Sequence, residues 1–196
     1  ARLGLKAVTL SAYPNGTLAL KPEDDRFWAA ALDIDMPLTV HTMFSGMRDG
    51  PQRARDLDLA RRISTYGTKA APIATALAIH GVFDRFPKLQ FAIGHMGEGL
   101  PFLLWRINMG LARPGGERVE FQETFARNFW ITTSGNFSTP ALICSMLEMG
   151  IDHILYSVDW PFVLNMPGTK WVQELQIATE HKDKLLSGNA KRLLKI

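Results

Sequence analysis

Apolar positions along the chain fall into short aliphatic or β-branched runs, separated by longer stretches in which apolar residues recur three and four apart. Five runs read as strands: Leu5 to Leu10, Leu38 to His41, Leu89 to Gly94, Phe129 to Thr133 and Ile154 to Val158. The intervening stretches predict helices at Glu23 to Asp35, Ala54 to Tyr66, Pro72 to Arg85, Leu100 to Leu111 and Pro140 to Met149. A last pair is predicted near Lys170 to Glu180 and Lys182 to Lys195. Leu100, Leu103, Leu104, Ile107 and Leu111 mark one apolar helical face, and Arg106 lies off it. Pro22 before Glu23, Asp24 and Asp25, and Ser138-Thr139 before Pro140, are helix-start signals. Strands alternating with helices predict an α/β protein whose parallel sheet is covered by helices. The polar segment Thr42 to Gly50, followed by Pro51, is the longest connection and reads as a functional loop or lid within one domain.

Polar residues fall where these runs end. His41 closes Leu38-Thr39-Val40, His95 follows Phe91-Ala92-Ile93-Gly94, Thr133 and Ser134 end Trp130-Ile131-Thr132, and Asp159 follows Leu155-Tyr156-Ser157-Val158. The carboxyl edge of a parallel sheet is where α/β folds bind ligands and where (β/α) barrels carry catalysis. Two imidazoles and a carboxylate from different strands suit one divalent cation such as Zn²⁺. An open catalytic site takes three protein ligands, so with His95 kept for proton chemistry the chain supplies two. Glu98, three residues beyond His95, fits either of two roles. It orients the imidazole and raises its pKa, or it caps the helix beginning near Pro101. The other candidates read as structural: His80 in an apolar helix, His153 in a turn, His181 in a charged stretch, Cys144 as a buried packing thiol and Asn189 as a helix cap.

Composition narrows the function classes. At 196 residues, 46% hydrophobic and 21% charged, the chain has the balance of a soluble globular protein. The net charge of +3 comes from dispersed basic residues, which excludes a nucleic-acid surface. Charged residues and histidines interrupt every apolar stretch well short of the ~18 residues of a membrane span. A lone cysteine forms no intrachain disulfide and fits a reducing, cytoplasmic compartment. Phosphate-loop, Cys-x-x-Cys and Gly-x-Ser-x-Gly motifs are absent.

The stretch GVFDRFPKLQFAIGHMGEGLPFLLWRI, Gly81 to Ile107, resembles the decarboxylase branch of the metal-dependent amidohydrolase superfamily, amidohydrolase family 2. That branch includes γ-resorcylate, 2,3-dihydroxybenzoate, 5-carboxyvanillate and aminocarboxymuconate semialdehyde decarboxylases. NFWITTSGNFSTPAL from Asn128, ILYSVDWPF from Ile154 and GNAKRLLKI from Gly188 are similar to the same family in the same order, as is DDRFWAAALDIDMPLTVH ending at His41.

The resemblance implies that residues 1–196 are the C-terminal five strands of a distorted (β/α)8 barrel. The family's first strand, with its His-x-His or Glu-x-His metal ligands, is missing, so the chain is expected to be part of a longer enzyme or a truncated product, poorly stable and inactive by itself. His41 and Asp159 are implied as ligands of Zn²⁺ or Mn²⁺, His95 as the active-site histidine with Glu98 its partner, and Asp159 also as a proton donor. Arg106 resembles an arginine that extends into a neighbouring subunit's site, implying a dimer or tetramer. The implied activity is non-oxidative decarboxylation of an aromatic or unsaturated carboxylic acid in aromatic-compound catabolism. A metal-dependent lactone or amide hydrolase and a non-catalytic fragment are the alternatives. Tyr13, Pro14 and the Thr42 to Gly50 loop are unlike the family pattern and leave the substrate's ring substituents open.

Overall fold

The computed structural model describes residues 3–10, 13–16, 20–40 and 70–196. His41, the Thr42 to Gly50 loop and the helix predicted at Ala54 to Tyr66 lie outside the described residues.

Among the described residues five parallel strands form one sheet in sequence order: β1 (Val8–Leu10), β2 (Leu38–Val40), β3 (Phe91–Ile93), β4 (Phe129–Thr132) and β5 (Ile154–Leu155). Val40 pairs with Ile93, Ile93 with Ile131, and Ile131 with Ile154, so the strands step across the sheet in register. Side chains alternate between its faces. Phe91, Ile93, Phe129, Ile131 and Ile154 enter the main core beneath the helices, while Ala92, Trp130 and Leu155 face the other way. Burial on both faces is why these strands read as continuous apolar runs.

Helices follow the strands. The first, α1 (Asp25–Asp33), grows out of a 3₁₀ turn at Pro22–Asp24. Asp24 is buried there, and its carboxylate accepts hydrogen bonds from the Lys21 amide (2.9 Å) and from the backbone and side chain of Asn15 (2.7 and 2.6 Å). The helix predicted over Pro72 to Arg85 is two helices, α2 (Ala70–Ile79) and α3 (Val82–Arg85). Gly81 breaks it with a left-handed φ of 65°, which glycine adopts without steric cost. Arg85 then caps α2 by donating to the carbonyls of His80 and Gly81 and reaches α1 through both oxygens of Asp25. Next come α4 (Leu100–Gly110), α5 (Phe121–Asn128), α6 (Thr139–Met149), α7 (Asn165–Glu174), α8 (Thr179–Asp183) and α9 (Asn189–Leu194). A π-helical turn, Lys184–Gly188, joins the last two.

Several sequence expectations change. α5 is unforeseen because only Phe121 and Phe125 show its four-residue spacing before the apolar run of β4 begins. Leu103 stands with the exposed residues of α4 and not on its buried face. Cys144 is only half-buried. Asn189, read as a cap, is wholly buried, and its Nδ2 donates to the carbonyls of Ile151 (2.7 Å) and Ile154 (2.8 Å). It therefore pins the C-terminal helix to the base of β5. Asn189→Asp keeps the shape but turns a double donor into an acceptor facing two carbonyls, and should cost about 2–3 kcal/mol of unfolding free energy in urea. An unchanged urea midpoint would show that the two bonds carry no stability.

Candidate active site

The carboxyl edge of the sheet is built from backbone that side chains rarely adopt. After β3 the chain turns through five consecutive residues with positive φ: His95 (52°), Met96 (57°), Gly97 (71°), Glu98 (49°) and Gly99 (79°). Ser134 after β4 (31°) and Asp159 after β5 (73°) share this region. Each non-glycine residue held there costs about 1–2 kcal/mol, and such strain concentrates at functional sites. The left-handed turn has a packing reason, since a Cβ at Gly97 would lie 3.0 Å from both Ile131 Cγ2 and Pro101 Cδ. It also folds Glu98 back onto the histidine that precedes it.

Glu98 Oε1 lies 3.4 Å from His95 Nδ1, and on the other side of the ring Nε2 lies 3.8 Å from Asp159 Oδ2. Glu98 is 3% exposed. A hydrogen bond from the imidazole to the Glu98 carboxylate raises the His95 pKa above its ordinary value; burial opposes this and the charge of Asp159 adds to it. Of the two readings of Glu98, the geometry supports the imidazole partner. Asp159 is set by a tight turn in which its carbonyl accepts from the amides of Phe162 (2.9 Å) and Val163 (3.0 Å).

These groups open onto a cleft of about 770 Å³, lined by His95, Glu98 and Asp159 together with Ser134, Asn136, Phe137 and Phe162. Hydroxyls tie the ends of β4 and β5 beneath it. Thr133 Oγ1 accepts from the Ser157 amide (2.8 Å) and donates to its carbonyl (2.5 Å), and Ser134 Oγ bonds Thr132 Oγ1 and Ser157 Oγ. Phe137 and Phe162 give the cleft an aromatic wall that the strand-end reading did not single out. Their signal was present in Gly135-Asn136-Phe137 and Pro161-Phe162, immediately beyond polar strand ends.

His95, Glu98, Ser134 and Asp159 therefore lie together at one cleft, whereas Arg106 is exposed on α4 and absent from the cleft lining. His153 is structural: its Nδ1 lies 3.0 Å from the Phe129 carbonyl, its ring stacks on Trp130, and burial lowers its pKa. His80 is exposed, beyond the end of α2. Among the described residues no three His, Cys, Asp or Glu side chains form a metal-binding group. Asp159 supplies a part-exposed carboxylate at the cleft, a donor suited to a hard or borderline cation, and His41 follows directly on Val40 in the sequence.

The amidohydrolase sequence family matches residues 1–196. The chain belongs to the amidohydrolase family. Within that family it is 35% identical over 184 residues to γ-resorcylate decarboxylase of a Rhizobium species, covering 89% of this chain and 55% of the relative. Two solved members share 33% identity. A 2,6-dihydroxybenzoate decarboxylase complexed with 2,6-dihydroxybenzoate superposes with a TM-score of 0.83 over 99% of this chain and 63% of its own. A dihydroxybenzoic acid decarboxylase from a Polaromonas species, with bound manganese and the inhibitor 2-nitroresorcinol, gives 0.76 over 89% and 54%. The chain thus spans about half the length of the curated relatives it matches. Its five parallel βα units are those of the distorted (β/α)8 barrel implied by the sequence.

Proposed function

We propose that the protein carrying this chain is a metal-dependent, non-oxidative decarboxylase of a small aromatic carboxylic acid. The observation that carries this reading is the Glu98-His95-Asp159 array opening onto a partly aromatic cleft at the strand ends. The named activities of its relatives support it.

Asp159 and His41 are the residues that would hold a divalent metal, Zn²⁺ or Mn²⁺, whose charge would orient the substrate's carboxylate and an adjacent ring oxygen. His95, kept basic by Glu98, holds the proton of a substrate hydroxyl or of water and stands within reach of Asp159. Asp159 receives the proton held by His95 and delivers it to the ring carbon that bears the carboxylate. The bond to CO₂ then breaks, its electron pair stays in the ring, and aromaticity returns. Phe137 and Phe162 flank the cleft and shield the planar substrate from water. Arg106, on a helix whose outer side exposes Phe102, Trp105 and Met109, is proposed to enter the site of a second copy in a dimer or tetramer. Cytoplasmic location is part of the same proposal. No helix among the described residues is long and apolar enough to cross a membrane.

Turnover in D₂O separates decarboxylation from hydrolysis. The metal-loaded protein acting on 2,6-dihydroxybenzoate should release one CO₂ and place one deuterium on the carbon that lost it, read by mass spectrometry and NMR. A product carrying solvent oxygen from a lactone or amide, with no CO₂ from any aromatic acid, would establish the hydrolase instead.

A further inference from the structure

Gly168 lies inside α7 and does not line the cleft, yet its missing side chain has a specific consequence. A Cβ placed there would sit 2.6 Å from Phe137 Cζ, 2.9 Å from Phe137 Cε1 and 2.7 Å from the Tyr156 hydroxyl. Its backbone is not left-handed, so no turn demands glycine, and glycine within a helix is less stable than alanine. What the position provides is a flat seat on which the Phe137 ring rests directly against helix backbone.

Two further neighbours of that ring are aromatic. Tyr156 stacks on it at 6.4 Å between centroids and Trp171 tilts against it at 5.8 Å. Tyr156 and Trp171 both pack against the main core, and Trp171 Nε1 is further tied to Thr139 Oγ1 at 3.0 Å. With those sides filled, the open space beside the ring is the cleft that Phe137 shares with His95 and Asp159. Bulk added at position 168 therefore presses on both Phe137 and the Tyr156 hydroxyl, and of the two only Phe137 lines the cleft and carries the displacement into it.

We propose that Gly168 is a positioning residue that sets how far the Phe137 ring stands from the His95–Asp159 pair, and so fixes the size of the ring substituents an aromatic acid can carry there. This rests on the reading of the cleft as an aromatic-acid site. Phe137 is the wall the substrate meets, and Gly168 acts through it.

The test is calorimetric binding of 2,6-dihydroxybenzoate and of unsubstituted benzoate to the metal-loaded protein and to its Gly168→Ala, Phe137→Leu and Gly168→Ala/Phe137→Leu variants, with steady-state rates alongside. Gly168→Ala should weaken 2,6-dihydroxybenzoate binding about tenfold and benzoate binding less, raising KM more than it lowers kcat. The double variant, whose leucine lacks the outer ring atoms that clash, should bind both acids within about twofold of Phe137→Leu alone. Gly168→Ala that binds both acids as the wild type does would overturn the proposal. So would a loss of folding or affinity, by circular dichroism or calorimetry, that Phe137→Leu fails to relieve, because the glycine would then serve the helix or the Tyr156 hydroxyl and not the Phe137 ring. A wild type that neither binds nor decarboxylates either acid overturns the aromatic-acid reading and this proposal with it, whereas a competent wild type with an indifferent Gly168→Ala overturns this proposal alone.

Discussion

Asp159→Ala is expected to abolish decarboxylation and to strip the metal, whereas His95→Ala should keep metal and lose about 10²–10⁴-fold in turnover. The two residues sit 3.8 Å apart at one cleft, so a merely local disturbance would affect both variants alike. Their assigned roles differ. In the proposed mechanism Asp159 supplies an oxygen ligand and a transferable proton, while His95, beside buried Glu98, is assigned proton chemistry alone. Elemental analysis of the purified variants beside rate measurements distinguishes these roles. His41→Ala should follow Asp159→Ala in metal content. Full metal retention in either ligand variant, or metal loss in His95→Ala equal to that in Asp159→Ala, would require a different coordination set.

The largest stability effect is expected at Phe129. Its ring stacks on Phe125 with centroids 5.0 Å apart, meets Phe83 at 5.2 Å and Phe91 at 5.8 Å, and is fully buried at the start of β4. Phe129→Ala removes the centre of a cluster that joins α3, α5 and two strands, and the surrounding rings cannot all close over the gap. The loss should be about 3–5 kcal/mol by urea unfolding, against about 1 kcal/mol or less for a conservative Phe129→Leu rescue relative to the wild type's packing volume. A loss below about 1 kcal/mol in Phe129→Ala would mean that this cluster is not the core of the folded protein.

The alternation of short apolar runs with longer helical stretches determined the α/β class and all five strands, because a parallel strand covered on both faces must be apolar nearly throughout. Among the described residues it also marked His95, Ser134 and Asp159, which line the cleft at the carboxyl edge, since polar side chains that end apolar strands fall where the sheet stops. The helix at Phe121–Asn128 escaped, because two phenylalanines four apart are too short a pattern against the run that follows. The break at Gly81 escaped as well, because a glycine in an apolar helix is marked by its φ and not by its neighbours.

Tertiary structure alone decided the rest. Sequence spacing left Glu98 open between capping a helix and holding an imidazole, and only the left-handed turn through residues 95–99 brings Oε1 to 3.4 Å from Nδ1. Asn189 likewise looked like a cap until the fold placed two strand-base carbonyls on its amide. Gly168 and Phe137 lie 31 positions apart in the chain, and they are close only because α7 packs against the connection that follows β4. The sequence by itself determined the elements and the chemistry carried at their ends, which depend on burial pattern and residue type. Distance, orientation and the shift in the His95 pKa depend on backbone turns and on groups remote in sequence, and those the tertiary structure decided.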